Sequence, residues 1–310
     1  MKVITILTPC YNEEENVREL YEQVKAVFAG LPQYRYEHLF IDNASTDRTV
    51  AILKEIAGRD KSVKLIVNRR NFGQIRSPYY ALLQARGDAV VSIAADFQDP
   101  PTLIPAFLSK WEEGYLVALG VKASSQESRA MFAVRQLYYA LINRLSDVEL
   151  IKDATGFGLY DRSFLDVLRT LDEPYPYGRG LIAELGFEAA TIPYEQPKRV
   201  RGLSKNNFYS LYDVAMVGIT SHSKVPLRVA TILGFMSSAL SFLVALIYLL
   251  YKLIYWERFT AGVAPLVIGA FTAFSVQLFF LGLLGEYIAV IHTRVMRRPL
   301  VVEKERVNFD

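Results

Sequence analysis

The sequence predicts an α/β domain on a mostly parallel sheet with helices on both faces, followed by a two-helix membrane hairpin. Three observations carry this. Up to about Ser223, short apolar runs alternate with helix-periodic segments over short connections. Each of the first four apolar runs ends in a cluster of Asn, Asp, Gly or Pro. Beyond Ser223, two stretches, Val229–Tyr251 and Phe259–Gly285, contain no charged residue. At about 1.5 Å per residue, either is long enough to cross a hydrocarbon core of roughly 30 Å.

The elements follow in order. "VITILTP" is a short apolar strand, and "NEEENVRELYEQVKAVF" a helix with Asn12 as N-cap and Glu15 at its capping-box position. "YEHLFID" is the second strand, "DRTVAILKEIA" the second helix and "SVKLIVN" the third strand. "SPYYALLQA" is helical, "DAVVSIAAD" the fourth strand, "PTLIPAFLSKWEE" a helix and "YLVALGV" a further strand. Two amphipathic segments come later. One places Met131, Val134, Tyr138, Leu141 and Leu145 on a helical face; the other, Phe208, Leu211, Tyr212, Ala215, Met216 and Ile219. The first suits packing on the domain or lying on a bilayer, and the second suits the bilayer interface.

The flanks of the charge-free runs fit a membrane hairpin. Lys224 and Arg228 precede the first; Arg294, Arg297 and Arg298 follow the second. The excess of basic residues on the outer flanks predicts both termini and the soluble domain on the cytoplasmic side of a plasma (inner) membrane. Lys252 and Arg258 in the short loop oppose that bias, while Tyr255 and Trp256 suit an interfacial belt. The chain is expected to divide into a cytoplasmic α/β domain at 1–205, a juxtamembrane amphipathic helix and linker at 206–228, two transmembrane helices at 229–291 and a cytoplasmic tail at 292–310.

Composition narrows the classes. The 310 residues carry a net charge of +3, which gives no electrostatic footprint for nucleic acid. Cys10 is the only cysteine, so no internal disulfide forms, and a reducing compartment is compatible. "MKVITILTPC" lacks a cleavable signal pattern and reads as the first strand. No Gly-x-Gly-x-x-Gly and no Walker lysine motif follows the first strand, which disfavours dinucleotide and P-loop sites.

The polar clusters fall at the carboxyl ends of the predicted strands, where open α/β sheets bind ligands. They are Pro9 to Glu13, Asp42 to Asp47, Arg70 to Gly73 and Asp96 to Asp99. Taken singly, each is ordinary turn chemistry. In this order, "PCYNEEENV", "IDNASTDRT", "NRRNFGQ", "ADFQDPP", "DATGFGLYDR", "RVRGLSKNNF", "KVPLR" and "LGLLGEYIAVIHTRVMRRPL" resemble the polyprenyl-phosphate glycosyltransferases of glycosyltransferase family 2, which have the GT-A nucleotide-sugar fold. The resemblance runs from about residue 3 to 302, and the two-span tail with "LLGEYI" is similar to the bactoprenol glucosyltransferase branch.

The resemblance implies residue roles. Pro9, Tyr11, Glu13, Asp42, Asn71 and Gly73 match nucleotide-sugar-binding positions. Glu13 equally suits compensation of a helix dipole. Asp96 and Gln98 match ligands of Mg²⁺ or Mn²⁺, hard cations that take oxygen donors and stabilise a departing diphosphate. Arg199 and Lys205 match the basic loop for a lipid phosphate, with Arg129 and Arg135 as further basic candidates. Asp153 matches the acid assigned to the acceptor side and, with Asp96, is a catalytic candidate. As the acceptor phosphate dianion has no proton to give, Asp153 either acts as a base or orients the acceptor. The chain departs from the family pattern "DADLQDPP" at Ala94, where an acid stands, so weaker metal binding without loss of activity is expected.

The implied reaction is inverting transfer of a sugar, glucose by branch, from a UDP-sugar to undecaprenyl phosphate. A GDP-mannose-dependent mannose synthase is the alternative within the enzyme class. A non-catalytic membrane scaffold that kept the fold is the rival outside it, with Ala94 as its support. Expected partners are the UDP-sugar, polyprenyl phosphate and the bilayer, without nucleic acid; a homo-oligomer is compatible with so thin a membrane domain.

Overall fold

The computed structural model describes residues 1–124, 151, 154–171, 173, 176, 178–197, 225–255 and 263–309. Within the central strands, apolar side chains separate by parity. In β1 (Lys2–Cys10), Ile4, Ile6 and Cys10 pack on one side and Leu7 on the other. In β2 (Tyr34–Asp42), Phe40 takes the first side and Leu39 and Ile41 the second. β3 (Val63–Asn68) and β4 (Ala89–Ser92) repeat this, with Leu65 and Val91 against Ile66 and Val90. Successive side chains of a strand point to opposite faces, so both faces of this sheet are buried. Helices α1 (Val17–Ala29), α2 (Thr49–Arg59) and α4 (Ile104–Glu112) cover the first face through Leu20, Leu53 and Phe107. Helices α3 (Gly73–Gln84), α5 (Arg162–Thr170) and α6 (Gly178–Glu184) cover the second through Tyr79, Leu165 and Leu181.

Strands β5 (Val117–Ser124), β6 (Ala154–Asp161), β7 (Ala189–Glu195) and β8 (Glu303–Val307) complete an eight-stranded sheet of order β7-β5-β6-β4-β1-β2-β3-β8. The β1–β2, β1–β4, β2–β3 and β5–β7 pairs are parallel; β3–β8, β4–β6 and β5–β6 are antiparallel. Chain order runs outward from β1 on both sides, to β2 and to β4, which makes the β1 carboxyl end a topological switch point. β6 runs close to β5 because position 158 is glycine: a Cβ there would lie 2.4 Å from the Ala118 carbonyl oxygen.

Several elements differ from expectation. Helix α1 starts at Val17, and its N-cap Asn16 makes no side-chain capping bond. The Asn12–Glu15 capping box does not form, because Asn12 and Glu13 are engaged with the β2–α2 loop instead. β4 ends at Ser92; Ile93 N–H still donates to the Leu7 carbonyl at 2.9 Å before the chain turns away. Helix α3 starts four residues earlier than "SPYYALLQA", with Asn71 Oδ1 accepting from Gly73 N–H at 2.8 Å. Both amphipathic segments, around 131–145 and 208–219, lie outside the described residues.

Helices α7 (Val225–Ile254) and α8 (Val263–Val295) contain 30 and 33 residues. Both are long and apolar enough to cross a membrane, over Leu227–Ile254 and Gly269–Val295. Their large side chains, Phe235, Phe242, Phe271 and Phe279 among them, are exposed.

The segment after α8, expected as a tail, returns to the sheet. β8 runs antiparallel along the β3 edge, pairing Val307 with Leu65 and Glu305 with Val67. Arg69 N–H donates to the Val302 carbonyl at 2.9 Å, and the Arg76 guanidinium donates to the Pro299 carbonyl. Asn308 Nδ2 donates to the carbonyls of Ala57 and Val63, each at 2.8 Å. Ion pairs Lys54–Glu305 at 2.6 Å and Arg294–Glu173 at 2.9 Å are exposed and contribute about 0–1 kcal/mol each. The backbone ladder and Asn308 therefore hold this segment more than its charges do.

Candidate functional site

The four loops at the carboxyl edge of β1 to β4 share a backbone feature. Each contains one residue in the left-handed region: Asn12 (φ +56°), Ala44 (φ +64°), Gly73 (φ +87°) and Phe97 (φ +60°). For Ala and Phe this costs on the order of 1–2 kcal/mol each, so the surrounding contacts must impose it.

The first two loops interlock. Asn12 N–H donates to Ser45 Oγ at 2.8 Å, and Asn12 Oδ1 accepts from Thr46 N–H at 2.8 Å. Glu13 N–H donates to Thr49 Oγ1 at 2.8 Å, while its carboxylate accepts from Asn16 Nδ2 at 2.6 Å. Asp42, fully buried at the end of β2, accepts from Ser45 N–H at 3.0 Å and from the Ser45 hydroxyl. Burial pushes the Asp42 carboxyl up, against the lowering effect of the Ser45 bonds. Pro9, Tyr11 and Glu13 are half-buried beside it. These four residues are gathered at the carboxyl edge of β1 and β2.

The β3–α3 loop is set by an amide hub the sequence reading missed. Asn43, buried next to Asp42, donates through Nδ2 to Asn71 Oδ1 at 2.9 Å and to the Gly73 carbonyl at 3.1 Å. Its Oδ1 accepts from Phe72 N–H at 2.9 Å and from Asn68 Nδ2 at 3.2 Å. The two backbone partners fix the orientation of this amide, since Phe72 N–H can only donate and the Gly73 carbonyl can only accept. All four of its hydrogen-bonding positions are used. Asn68 Nδ2 also reaches Ser77 Oγ at 3.0 Å. Asn71 and Gly73 are exposed, held over the site edge by this hub. The signal available in the sequence was an asparagine at or just after the end of two apolar strands, Asn43 following β2 and Asn68 ending β3.

Beyond β4 lies the Ala94–Asp99 turn. Asp96 and Asp99 are both 7% exposed and Gln98 is half-buried. Asp96 Oδ1 accepts from Gln98 N–H at 3.2 Å. Asp99 Oδ2 accepts from Ala94 N–H at 3.0 Å, and Oδ1 from the Tyr194 hydroxyl at 3.2 Å. Burial pushes the Asp99 carboxyl up to about 6, with the Ala94 bond opposing and the nearby Asp96 charge adding. Ala94, where the family pattern has an acid, contributes its backbone N–H to this turn. Among the described residues no group of three His, Cys, Asp or Glu side chains is placed to hold a metal ion. Asp96 and Gln98 supply oxygen donors only, a set that fits a hard divalent cation whose other positions go to water or phosphate oxygens.

Asp42 thus stands at the end of β2 and Asp96 in the turn that follows β4, and β2 and β4 are the two strands flanking β1. Asp153, Arg199, Lys205, Arg129 and Arg135 lie outside the described residues. Asp153 directly precedes β6 in the chain, and the stretch with Arg199 and Lys205 follows β7.

Comparison with known proteins adds four findings. The family model described as "Glycosyl transferase family 2" matches residues 5–169. An uncharacterized glycosyltransferase of Bacillus subtilis, YkcC, is 33% identical over 307 residues, covering 99% of this chain and 94% of that protein. The SfII prophage-derived bactoprenol glucosyl transferase of Shigella flexneri is 31% identical, covering 97% of each chain. Among solved structures, glucosyl-3-phosphoglycerate synthase from Mycobacterium tuberculosis, crystallised with Mn²⁺, UDP and phosphoglyceric acid, has a TM-score of 0.49 at 21% identity, covering 71% of this chain and 76% of that one.

Proposed function

The chain belongs to glycosyl transferase family 2, and from that premise we propose that it transfers a sugar from a UDP-sugar to a polyprenyl phosphate at a membrane surface. The observation that carries this is the placement of Asp42 at the end of β2 and of Asp96 in the turn after β4, the strands on either side of β1, in a chain with two exposed apolar helices. The relatives named bactoprenol glucosyl transferase, similar over nearly the whole chain, support undecaprenyl phosphate as acceptor and glucose as the first sugar to test.

Asp42, buried at the β2 end, accepts hydrogen bonds from base or ribose, with Tyr11 and Glu13 beside it. The Asn71–Gly73 loop, held by Asn43, forms the adjoining wall. Asp96 and Gln98 would hold Mg²⁺ or Mn²⁺, which when bound would supply positive charge against the departing diphosphate. Arg199 and Lys205 bind the acceptor phosphate, joined by Arg129 and Arg135, and Asp153 orients it. A phosphate oxygen forms the new bond to the anomeric carbon as the bond to UDP breaks, with inversion; no proton needs removing from a dianion. Holding both reactants at one surface supplies proximity. In this reading α7 and α8 cross the bilayer as a hairpin whose outer ends both meet the catalytic domain, on the cytoplasmic side.

The test is incubation of the detergent-purified protein with Mg²⁺, undecaprenyl phosphate and a panel of UDP-sugars, with GDP-mannose as a separate arm. A lipid-linked monosaccharide from a UDP-sugar is expected. Product from GDP-mannose alone would replace the donor assignment. No product from folded protein with any donor would favour the scaffold reading.

A further inference from the structure

Asp99 is a buried carboxylate with no place in the scheme above, and its two bonds span a long stretch of chain. One accepts from Ala94 N–H, five residues back; the other accepts from the Tyr194 hydroxyl on β7. The first closes the turn that contains Asp96, Gln98 and the left-handed Phe97. The second fastens that closed turn to the far side of the sheet. Tyr194 has one place to be: its ring meets Phe157 edge-on at 5.5 Å, and Phe157 meets Phe107 edge-on at 4.8 Å. Glycine at position 120 makes room, since a Cβ there would sit 3.1 Å from Tyr194 Cε1 and 3.0 Å from Phe157 Cδ1. Phe157 belongs to β6, which begins one residue after Asp153, and Tyr194 to β7, which leads into the stretch with Arg199 and Lys205.

We propose that Asp99 is a positioning residue, which braces the Asp96–Gln98 turn through Ala94 and sets it against the acceptor-side strands through Tyr194. This rests on the assignment of Asp96 and Gln98 to the cation. Ala94 has no side chain with which to organise the turn, and Asp99 does so through the Ala94 backbone. The carboxylate is suited because it accepts from two donors at once. An asparagine keeps the brace: its oxygen accepts from Ala94 N–H, and its NH₂ donates to the Tyr194 oxygen, as a hydroxyl takes either role. Alanine loses both bonds, and Tyr194→Phe loses one while leaving the ring packing intact.

The test compares wild type, Asp99→Ala, Asp99→Asn and Tyr194→Phe in two readouts. Binding of Mn²⁺ in the presence of UDP is followed by electron paramagnetic resonance, and hydrogen exchange is followed over peptides covering 93–99 and 189–197. Asp99→Ala is expected to weaken Mn²⁺ binding by about tenfold or more, in the range for lost outer-shell partners. It should also speed exchange in both peptides. Tyr194→Phe should show an intermediate change in both, and Asp99→Asn should stay within about threefold of wild type. Equal losses in Asp99→Asn and Asp99→Ala would mean that charge matters and not the brace, and would overturn the proposal. So would unchanged exchange in Asp99→Ala and Tyr194→Phe. If wild type itself binds no Mn²⁺ with UDP, the cation assignment fails, and the exchange readout alone decides whether Asp99 braces the turn.

Discussion

Replacing Asn43 with aspartate changes one NH₂ into one oxygen, yet it should disable the nucleotide-side loop. The two bonds that Asn43 accepts, from Phe72 N–H and Asn68 Nδ2, remain possible. The two it donates, to Asn71 Oδ1 and the Gly73 carbonyl, become oxygen–oxygen contacts starting from 2.9 and 3.1 Å. A net hydrogen bond contributes roughly 0.5–1.5 kcal/mol, and a buried group left unmatched costs roughly 1–3 kcal/mol. Asn71 and Gly73 are exposed, so water rescues part of that on their side. The remaining cost is about 2–4 kcal/mol, borne by a side chain that is 7% exposed. For a domain of this size, 1 kcal/mol moves Tm by about 2–4 °C, so a drop of roughly 4–16 °C is expected. Thermal unfolding in detergent, followed by circular dichroism, measures it, and UDP titration by calorimetry reads the loop. Asn43→Asp should weaken UDP binding more than Asn68→Ala, which removes only one of the four bonds. A Tm within 2 °C of wild type, or UDP affinity that is unchanged, would refute the hub as the device that holds the 71–73 loop.

Three further outcomes follow from the same structure. Ala94→Asp places a second carboxylate on the Asp96 turn and should lower the Mg²⁺ concentration for half-maximal activity; an unchanged Mg²⁺ dependence would remove position 94 from the metal site. His38 is fully buried, bonded to Thr8 Oγ1 at 2.9 Å, and burial lowers its pKa from 6.5 to about 3. The unfolded imidazole takes up its proton first as pH falls, so this group's contribution, up to roughly 5 kcal/mol, is complete above pH 6.5 and lost towards pH 3. His38→Gln should flatten the acid side of a Tm-against-pH curve, and an unaltered slope would count against the buried neutral form. Asn308→Ala removes two bonds to the carbonyls of Ala57 and Val63 and should cost about 1–3 kcal/mol, read as faster hydrogen exchange along β3.

What could be read in advance was what repeats locally. β1 to β4 announce themselves because strands buried on both faces are nearly continuous apolar runs, and Asp42 and Asp96 stand where those runs stop. The start of α1 was misplaced by about four residues because Asn12 and Glu15 carry the spacing of a capping box. The pattern does not reveal that Asn12 and Glu13 are bonded instead to Ser45, Thr46 and Thr49. Asn43 and Asp99 stood in the strand-end clusters without a role, and Asn68 outside them, for a related reason. A polar residue at a strand end is ordinary until its partners are known, and Asp99's second partner is 95 positions away. β8 was invisible because "EKERV" is charged and alternates as an exposed edge strand does, and its apolar partner strand lies far back in the chain. β6 hid in "ATGFGLYD", where glycine lowers strand propensity but Gly158 permits the close approach to β5.

The position of β8 in the chain bears on how the protein is made. It follows both apolar helices, so translation reaches it only after the hairpin has been synthesised. Until then the β3 edge has no partner, and Ala57 and Val63 lack the amide that later meets their carbonyls. An open strand edge invites pairing with other chains. The sheet is therefore finished last by the piece that emerges behind the two apolar helices, and a chain that stalls within them leaves an incomplete sheet with a sticky flank. Completion of the sheet thereby waits on synthesis of both apolar helices.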